Sequence, residues 1–299
     1  MMDNTPMAST GAVPPVLEGV ANVLADYDVV FSDVWGVVHD GLTAHAAAAD
    51  ALIRFRSAGG TVILVSNAPV PQSRVAQMLD DRRLPRTAWD AIVSSGDLAL
   101  AHIDAAGYER LHFIGPLERD AALFSRVAAR RAPLPSADAL LVSGLDDDIN
   151  ETAESYRERL ETALSRGIPL VCANPDLVVD VGGRHYLCAG AIADLYAAMG
   201  GEVFWAGKPH AVAYRTAHEV AERLREAHVD PDRILVIGDA LRTDLEGARN
   251  FGVDALFVAS GIHAPEVMRD GLVDRTALQR LFTTTNAPPA RAAVSFLRW

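Results

Sequence analysis

The sequence predicts an α/β protein built on parallel sheets. Three observations carry that prediction: short apolar runs read as strands buried on both faces, helix-spaced stretches lie between them, and 299 residues suffice for two domains. The apolar runs occupy residues 29–31, 62–65, 91–93, 111–114, 139–142, 169–172, 234–237 and 255–258, each bounded by polar or glycine-containing turns. Residues 46–58, 73–79, 152–165, 211–225 and 245–250 repeat apolar side chains every three or four positions, as a helix with one buried face does. Strand and helix in alternation imply parallel strands covered by crossover helices. About eight such units fit either one large doubly wound sheet or two α/β domains, and periodicity alone does not choose. The acidic turn at 146–148 reads as a solvated helix start.

Bulk composition narrows the function. Half of the residues are apolar, so a sizeable core is expected. A formal net charge of -12 argues against nucleic acid as a partner, because that affinity rests on basic side chains neutralising phosphates. Cys172 and Cys188 are too few for a disulfide framework and form no zinc-ligand spacing, so both read as buried thiols. No segment has the run of apolar residues that a membrane span needs, and the N-terminus lacks a basic stretch followed by an apolar one. The expectation is a cytoplasmic protein without membrane partners, with a disordered first dozen residues.

Four short motifs carry chemistry. In Phe31-Ser32-Asp33-Val34-Trp35-Gly36-Val37 an aspartate comes directly after an apolar strand, at the sheet edge where open α/β sheets bind ligands. An aspartate there also serves as an ordinary helix cap. The next strand ends in Ser66-Asn67, whose hydroxyl, amide and backbone N–H groups suit an oxyanion or, equally, a helix N-cap before Pro69. Gly207-Lys208-Pro209 places one cation before a helix, able to neutralise a phosphoryl group or a carboxylate nucleophile. The strand at 234–237 runs into Gly238-Asp239, with Asp244 five residues on; two acids on one strand-end loop suit a hard divalent cation.

In this order the motifs resemble those of the haloacid dehalogenase (HAD) superfamily, and in particular its subfamily IIA phosphatases, related to 4-nitrophenyl and sugar or nucleotide phosphatases. The resemblance covers about residues 25–262. Asp40-Gly41, Ser94-Ser95-Gly96, Asn174-Pro175-Asp176 and Ala189-Gly190 support it. It implies a Rossmann-like parallel-sheet core from residues 1–104 and 188–299, with an α/β cap domain of the C2 type inserted at 105–187. It also implies roles: Asp33 as nucleophile forming an aspartyl-phosphate, Ser66, Asn67 and Lys208 around the transferring group, and Asn174 and Asp176 facing the substrate from the cap. Mg2+ would be held by Asp33, Asp239 and the main-chain carbonyl of Trp35, with Asp244 supporting.

One position departs from the pattern. Phosphatases of this superfamily carry a second aspartate two residues after the nucleophile as general acid and base, and here that position is Trp35. An indole does neither job, and the loss of such a group costs on the order of 10² to 10⁴ in rate. Three readings stay open: a phosphatase that recruits His39, Asp146, Asp147 or Asp176 or uses good leaving groups; a weakly active or inactive ligand-binding scaffold; and a 2-haloacid dehalogenase-like hydrolase. Against the last, the cap of such enzymes comes soon after the first motif, whereas about 30 residues separate Asp33 from Ser66. A small phosphorylated metabolite is the expected substrate, sugar phosphate or nucleotide alike. Trp35 also suits a pocket wall. The segment from Pro265 has helix-like spacing and an apolar tail, suited to docking on the core or on a second subunit of a homodimer.

Overall fold

The computed structural model describes residues 11–182 and 184–299. They form two compact units. One takes in residues up to Val65 together with Asp80–Ala91 and Tyr214–Trp299; the other takes in Ser66–Leu79 and Ile92–Ala213. Residues 105–187 lie wholly within the second. The expected disorder of the first dozen residues falls mostly on positions 1–10, outside the described residues.

The first unit is built on a parallel sheet. Its strands run side by side in the order Val16–Leu17, Ala292–Val294, Asp254–Val258, Ile234–Gly238, Val29–Ser32 and Thr61–Ser66. The four long strands are Val, Ile, Leu and Phe at most positions and are buried nearly throughout, because helices cover both faces of a parallel sheet. Helix Ala46–Ser57 turns Ala48, Ala51, Leu52 and Phe55 inward at three- and four-residue spacing. Helix Arg275–Thr284 starts at Asp274, whose carboxylate accepts the N–H groups of Thr276 and Ala277, and buries Leu278, Leu281 and Phe282. The register pairs Ser32 with Ile237, so the next residues of these neighbouring strands emerge together at the sheet's C-terminal edge.

The apolar tail docks on its own unit. Strand Ala292–Val294 lies between Val16–Leu17 and Asp254–Val258, and the Arg298 carbonyl accepts a bond of 2.9 Å from Val20 N–H. Helical spacing after Pro265 thus describes only part of this segment. Two- and three-residue strands such as Val16–Leu17 and Ala292–Val294 are too short to show a period.

The second unit has a five-stranded parallel sheet in the order Val203–Trp205, Leu170–Cys172, Ala139–Val142, Arg110–Ile114 and Arg130–Arg131, and a separate hairpin of Val178–Val181 with Arg184–Leu187. Ile114, Leu140, Val142, Leu160, Leu170, Ile192, Tyr156 and Tyr196 form its core. All eight predicted strands are present, each within a residue or two of the expected limits. The acidic turn does not start a helix. Asp147 Oδ1 accepts from the N–H groups of Ile149 and Asn150 at 3.0 and 3.1 Å and closes a turn on itself, so the helical segment begins only after Thr152. Cys172 and Cys188 are buried free thiols, as expected, and burial pushes the Cys188 thiol up to about 12. Among the described residues, no helix is long and apolar enough to cross a membrane.

Candidate active site

Three carboxylates gather at the C-terminal edge of the first unit's sheet. Asp33 extends its strand by one bond, its N–H donating to Ile237 O at 2.8 Å, and Asp239 comes directly after Gly238 on the neighbouring strand. Asp244 sits on one π-helical turn, Leu241–Leu245, of the kind that re-aims a side chain at a functional site. One oxygen from each of the three lies within 4.8 Å of the others. Asp33 is 9 % exposed, Asp239 5 % and Asp244 1 %. Three acids packed so closely away from water repel one another unless a cation stands among them, and hard oxygen donors suit Mg2+ or Ca2+.

The backbone makes room for these groups. A Cβ on Gly36 would lie 2.2 Å from Asp239 Oδ2, one on Gly261 would lie 1.8 Å from the same oxygen, and one on Gly238 would lie 2.1 Å from Asp244 Cγ. Gly36 also has φ +82, which lets the chain turn just after the Asp33 strand. Two N–H groups aim the acids: Ile262 donates to Asp239 Oδ2 at 2.6 Å and Ala240 to Asp244 Oδ2 at 3.2 Å. The Tyr214 hydroxyl reaches Asp244 O at 3.3 Å and its ring lies against Gly247, which fixes the π turn. Gly261 and Ile262 carry no signal in the sequence, where Ser260-Gly261 reads as any turn after a strand.

Trp35 is wedged in place. Its indole packs on Gly41, where a Cβ would come within 2.4 Å of the ring, and meets the His39 ring edge-on at 4.9 Å between centroids. Arg82 donates to Gly41 O through Nη2 at 2.7 Å and Nε at 3.1 Å, and Gly41 N–H donates to His39 Nδ1 at 2.8 Å. Asp40 closes the turn by accepting from Leu42 and Thr43 N–H. His39 is 2 % exposed. Burial, reinforced by the Arg82 and His45 charges, lowers its pKa to about 4, so near neutrality the ring is uncharged and Nδ1 is already used as an acceptor. The geometry gives His39 the job of supporting Trp35 rather than carrying protons.

Burial of His39 makes stability depend on pH. The unfolded chain binds a proton at this ring below about pH 6.5, while the folded chain resists it until about pH 4. Stability is therefore lost as pH falls through this window, by up to about 3 kcal/mol from this group. Denaturant melts of wild type and His39→Gln across the window should show a shallower acid slope in the variant; parallel slopes would sink the assignment.

Ser66, Asn67, Lys208, Asn174 and Asp176 all belong to the second unit. Asn67 is their hub. Its Oδ1 accepts from Lys208 N–H at 2.9 Å and Ser95 Oγ at 3.3 Å, and its Nδ2 donates to Asp176 Oδ1 at 2.9 Å and Lys208 O at 3.1 Å. Both donors and both lone pairs of the amide are thus engaged within the protein. Asn67 holds the Lys208 backbone from both sides, and Lys208 is 3 % exposed. Ser66 Oγ accepts from Ala68 N–H at 3.2 Å, and Asn174 Oδ1 accepts from Asp176 N–H at 3.1 Å, which makes Asn174-Pro175-Asp176 a self-closed turn. That turn rests on Gly190, whose N–H donates to Asp176 O at 3.1 Å and where a Cβ would lie 2.4 Å from the same oxygen. The other acids weighed as replacements for the missing aspartate are engaged too. Asp146 accepts from Gly115 N–H and from Arg159, and hydrogen bonds from Asn150 and nearby N–H groups hold Asp147 below the usual carboxylate range, which makes it a poor proton donor.

Residues 30–125 match a family described as haloacid dehalogenase-like hydrolase, and residues 205–279 match a second described as HAD-hydrolase-like. Among solved structures, a haloacid dehalogenase-like hydrolase from Brucella suis is 38 % identical, covering 94 % of this chain and 99 % of its own, with a TM-score of 0.81. A p-nitrophenyl phosphatase from Archaeoglobus fulgidus shares the fold at 21 % identity and a TM-score of 0.67, over 90 % of this chain and 95 % of its own. So does a glycerol phosphate phosphatase from Mycobacterium tuberculosis, solved with calcium, at 24 % identity and a TM-score of 0.59, over 87 % and 78 %. None of the curated proteins compared with the chain matches it significantly.

Proposed function

This chain belongs to the haloacid dehalogenase-like hydrolase family, and from that premise we propose that it is a Mg2+-dependent phosphatase of small phosphorylated metabolites. The observation that carries the reading is the cluster of Asp33, Asp239 and Asp244 at the ends of adjoining parallel strands. Asp33, Asp239 and the Trp35 carbonyl would hold the metal, with Asp244 supporting them. When bound, Mg2+ offsets the charge of the acids and of the phosphoryl oxygens.

The residues divide the work. Asp33 attacks phosphorus, the bond to the leaving oxygen breaks, and the phosphoryl group passes to the carboxylate; water then cleaves this aspartyl-phosphate and releases phosphate. Ser66 and Lys208 hold the transferring oxygens. Asn67 acts through Lys208, whose backbone it grips, and Asn174 acts through the turn that presents Asp176. We expect Asn67→Ala to lower kcat by about tenfold to a hundredfold with a smaller change in KM, as lost support for an electrostatic group does. Steady-state kinetics check this, and an unchanged kcat would remove Asn67 from the machinery.

Trp35 defines the substrate. With an indole where an acid would stand, the leaving oxygen takes its proton from solvent, so esters of acidic alcohols and phenols react best. Trp35→Asp should therefore raise turnover of alkyl phosphates relative to 4-nitrophenyl phosphate, and an unchanged ranking would contradict this role. The proposal as a whole is tested by phosphate release from a panel of phosphometabolites and 4-nitrophenyl phosphate, with and without Mg2+. Metal-dependent release supports it. No release across the panel would favour the ligand-binding scaffold, and metal-independent halide release from 2-haloacids would favour the dehalogenase.

A further inference from the structure

The loop that carries Trp35 is held from outside itself. After Asp33 the chain folds back through residues 35–45, with Gly36 N–H donating to His39 O at 2.7 Å and His45 N–H to Val38 O at 2.8 Å. Its tip is the turn at residues 40–43 that the Asp40 carboxylate closes. Gly41 in that turn has φ +90 and supports the far end of the indole, since a Cβ there would lie 2.4 Å from Cζ2 and 2.7 Å from Cη2 of Trp35. A residue with a side chain would have to push the ring away.

Arg82 belongs to none of the motifs and lies 41 positions from the glycine it holds. It comes directly after helix Gln72–Asp81 and is half-buried. Its Nη2–H and Nε–H converge on Gly41 O. A planar guanidinium that places two donors on one carbonyl fixes the direction of the peptide as well as its distance, which a single donor does not. The next residue, Arg83, has φ +62, a left-handed conformation that residues with side chains seldom adopt, and its N–H donates to Asp80 O at 2.8 Å. That turn sets the backbone from which Arg82 reaches the loop. Trp35 itself is half-buried, so part of its ring stays accessible.

We propose that Arg82 is a positioning residue that, through Gly41, holds the indole of Trp35 as a fixed wall beside the nucleophile, so that the site selects phosphate esters with a flat, aromatic leaving group. A broad apolar ring favours a flat partner, and a wall already fixed in place costs less to order on binding. The substrate class rests on the phosphatase reading; the placement of the indole does not.

Steady-state kinetics of the full-length protein with 4-nitrophenyl phosphate and acetyl phosphate test the first part, since both have acidic leaving groups and only one is aromatic. Arg82→Ala should raise KM for 4-nitrophenyl phosphate by about threefold to tenfold, with kcat and both constants for acetyl phosphate within about twofold. Arg82→Lys, which offers no fork, should fall between, and Arg83→Gln, which removes an equal charge next door, should change nothing. In a Trp35→Ala background Arg82→Ala should add no further change, because it acts through the indole. Acrylamide quenching of Trp35 emission, read in each background as the difference from Trp35→Phe because the chain has four tryptophans, tests the placement without turnover. It should rise by about twofold in Arg82→Ala and stay constant in Arg83→Gln. If the wild type releases no phosphate, the phosphatase reading fails and quenching alone decides the role of Arg82. Unchanged quenching in Arg82→Ala, equal changes in KM for the two substrates, or the same change in KM after Trp35→Ala would overturn the proposal.

Discussion

Asp33→Asn is expected to lower Mg2+-dependent turnover of 4-nitrophenyl phosphate by about four orders of magnitude or more, because removing a nucleophile leaves only binding and electrostatics. The substitution is close to isosteric. The main-chain bond to Ile237 O does not involve the side chain, so the strand end should stay in place. What changes is the reacting group and the charge of the cluster, since an amide is a poor nucleophile and one of three carboxylates is lost. Single-turnover phosphate release reads the first effect. The Mg2+-induced rise in melting temperature reads the second, and it should shrink without vanishing because Asp239 and Asp244 remain. A loss of less than tenfold in turnover would exclude Asp33 as the nucleophile.

Gly261→Ala should damage the same site from the opposite side. The added methyl would fall 1.8 Å from Asp239 Oδ2, the oxygen that Ile262 N–H holds, so the carboxylate must rotate or the loop must retreat. Supporting contacts of this kind are worth about ten- to a hundredfold in metal affinity, and turnover at fixed Mg2+ should fall at least as far. Gly59→Ala is the matched control. Gly59 has φ +95 with open space around its Cβ position, so alanine there strains the backbone by roughly 1 kcal/mol without touching the acids. The two variants should both melt earlier, but only Gly261→Ala should need more Mg2+ for half-maximal rate. Equal Mg2+ requirements would mean that Asp239 does not hold the metal.

The sequence exposed the sheets and the acids for one shared reason. Strands buried on both faces are apolar at most positions in a row, so Val29–Ser32 and Ile234–Gly238 stand out, and a charged residue directly after such a run marks the strand's end. The hidden features depend on shape across distance in the chain. The fit of Gly261 to Asp239, and of Gly41 to the indole of Trp35, leaves no local trace, because glycine occurs in every turn. Asn67 was visible as a polar residue after a strand. That its amide would be spent on Lys208, Ser95 and Asp176 could not be read from residues that lie between 28 and 141 positions away. His39 shows the same limit from another side: an exposed-looking turn histidine is buried against Trp35 and kept neutral by that burial, with the charge of Arg82, from the connection after a different helix, reinforcing it.

The insertion of Ala292–Val294 between Val16–Leu17 and Asp254–Val258 sets an order for assembly on the ribosome. The second unit is finished once residue 213 has emerged, and its strands are joined by short segments that can pair as they appear. At that moment the sheet bearing Asp33 still lacks Ile234–Gly238, Asp254–Val258 and Ala292–Val294, three of its strands. Two of its pairings span more than two hundred residues, a separation that slows closure. The nascent chain thus completes the second unit before Asp239 and Asp244 have been made, so the three acids can meet only after that unit has formed.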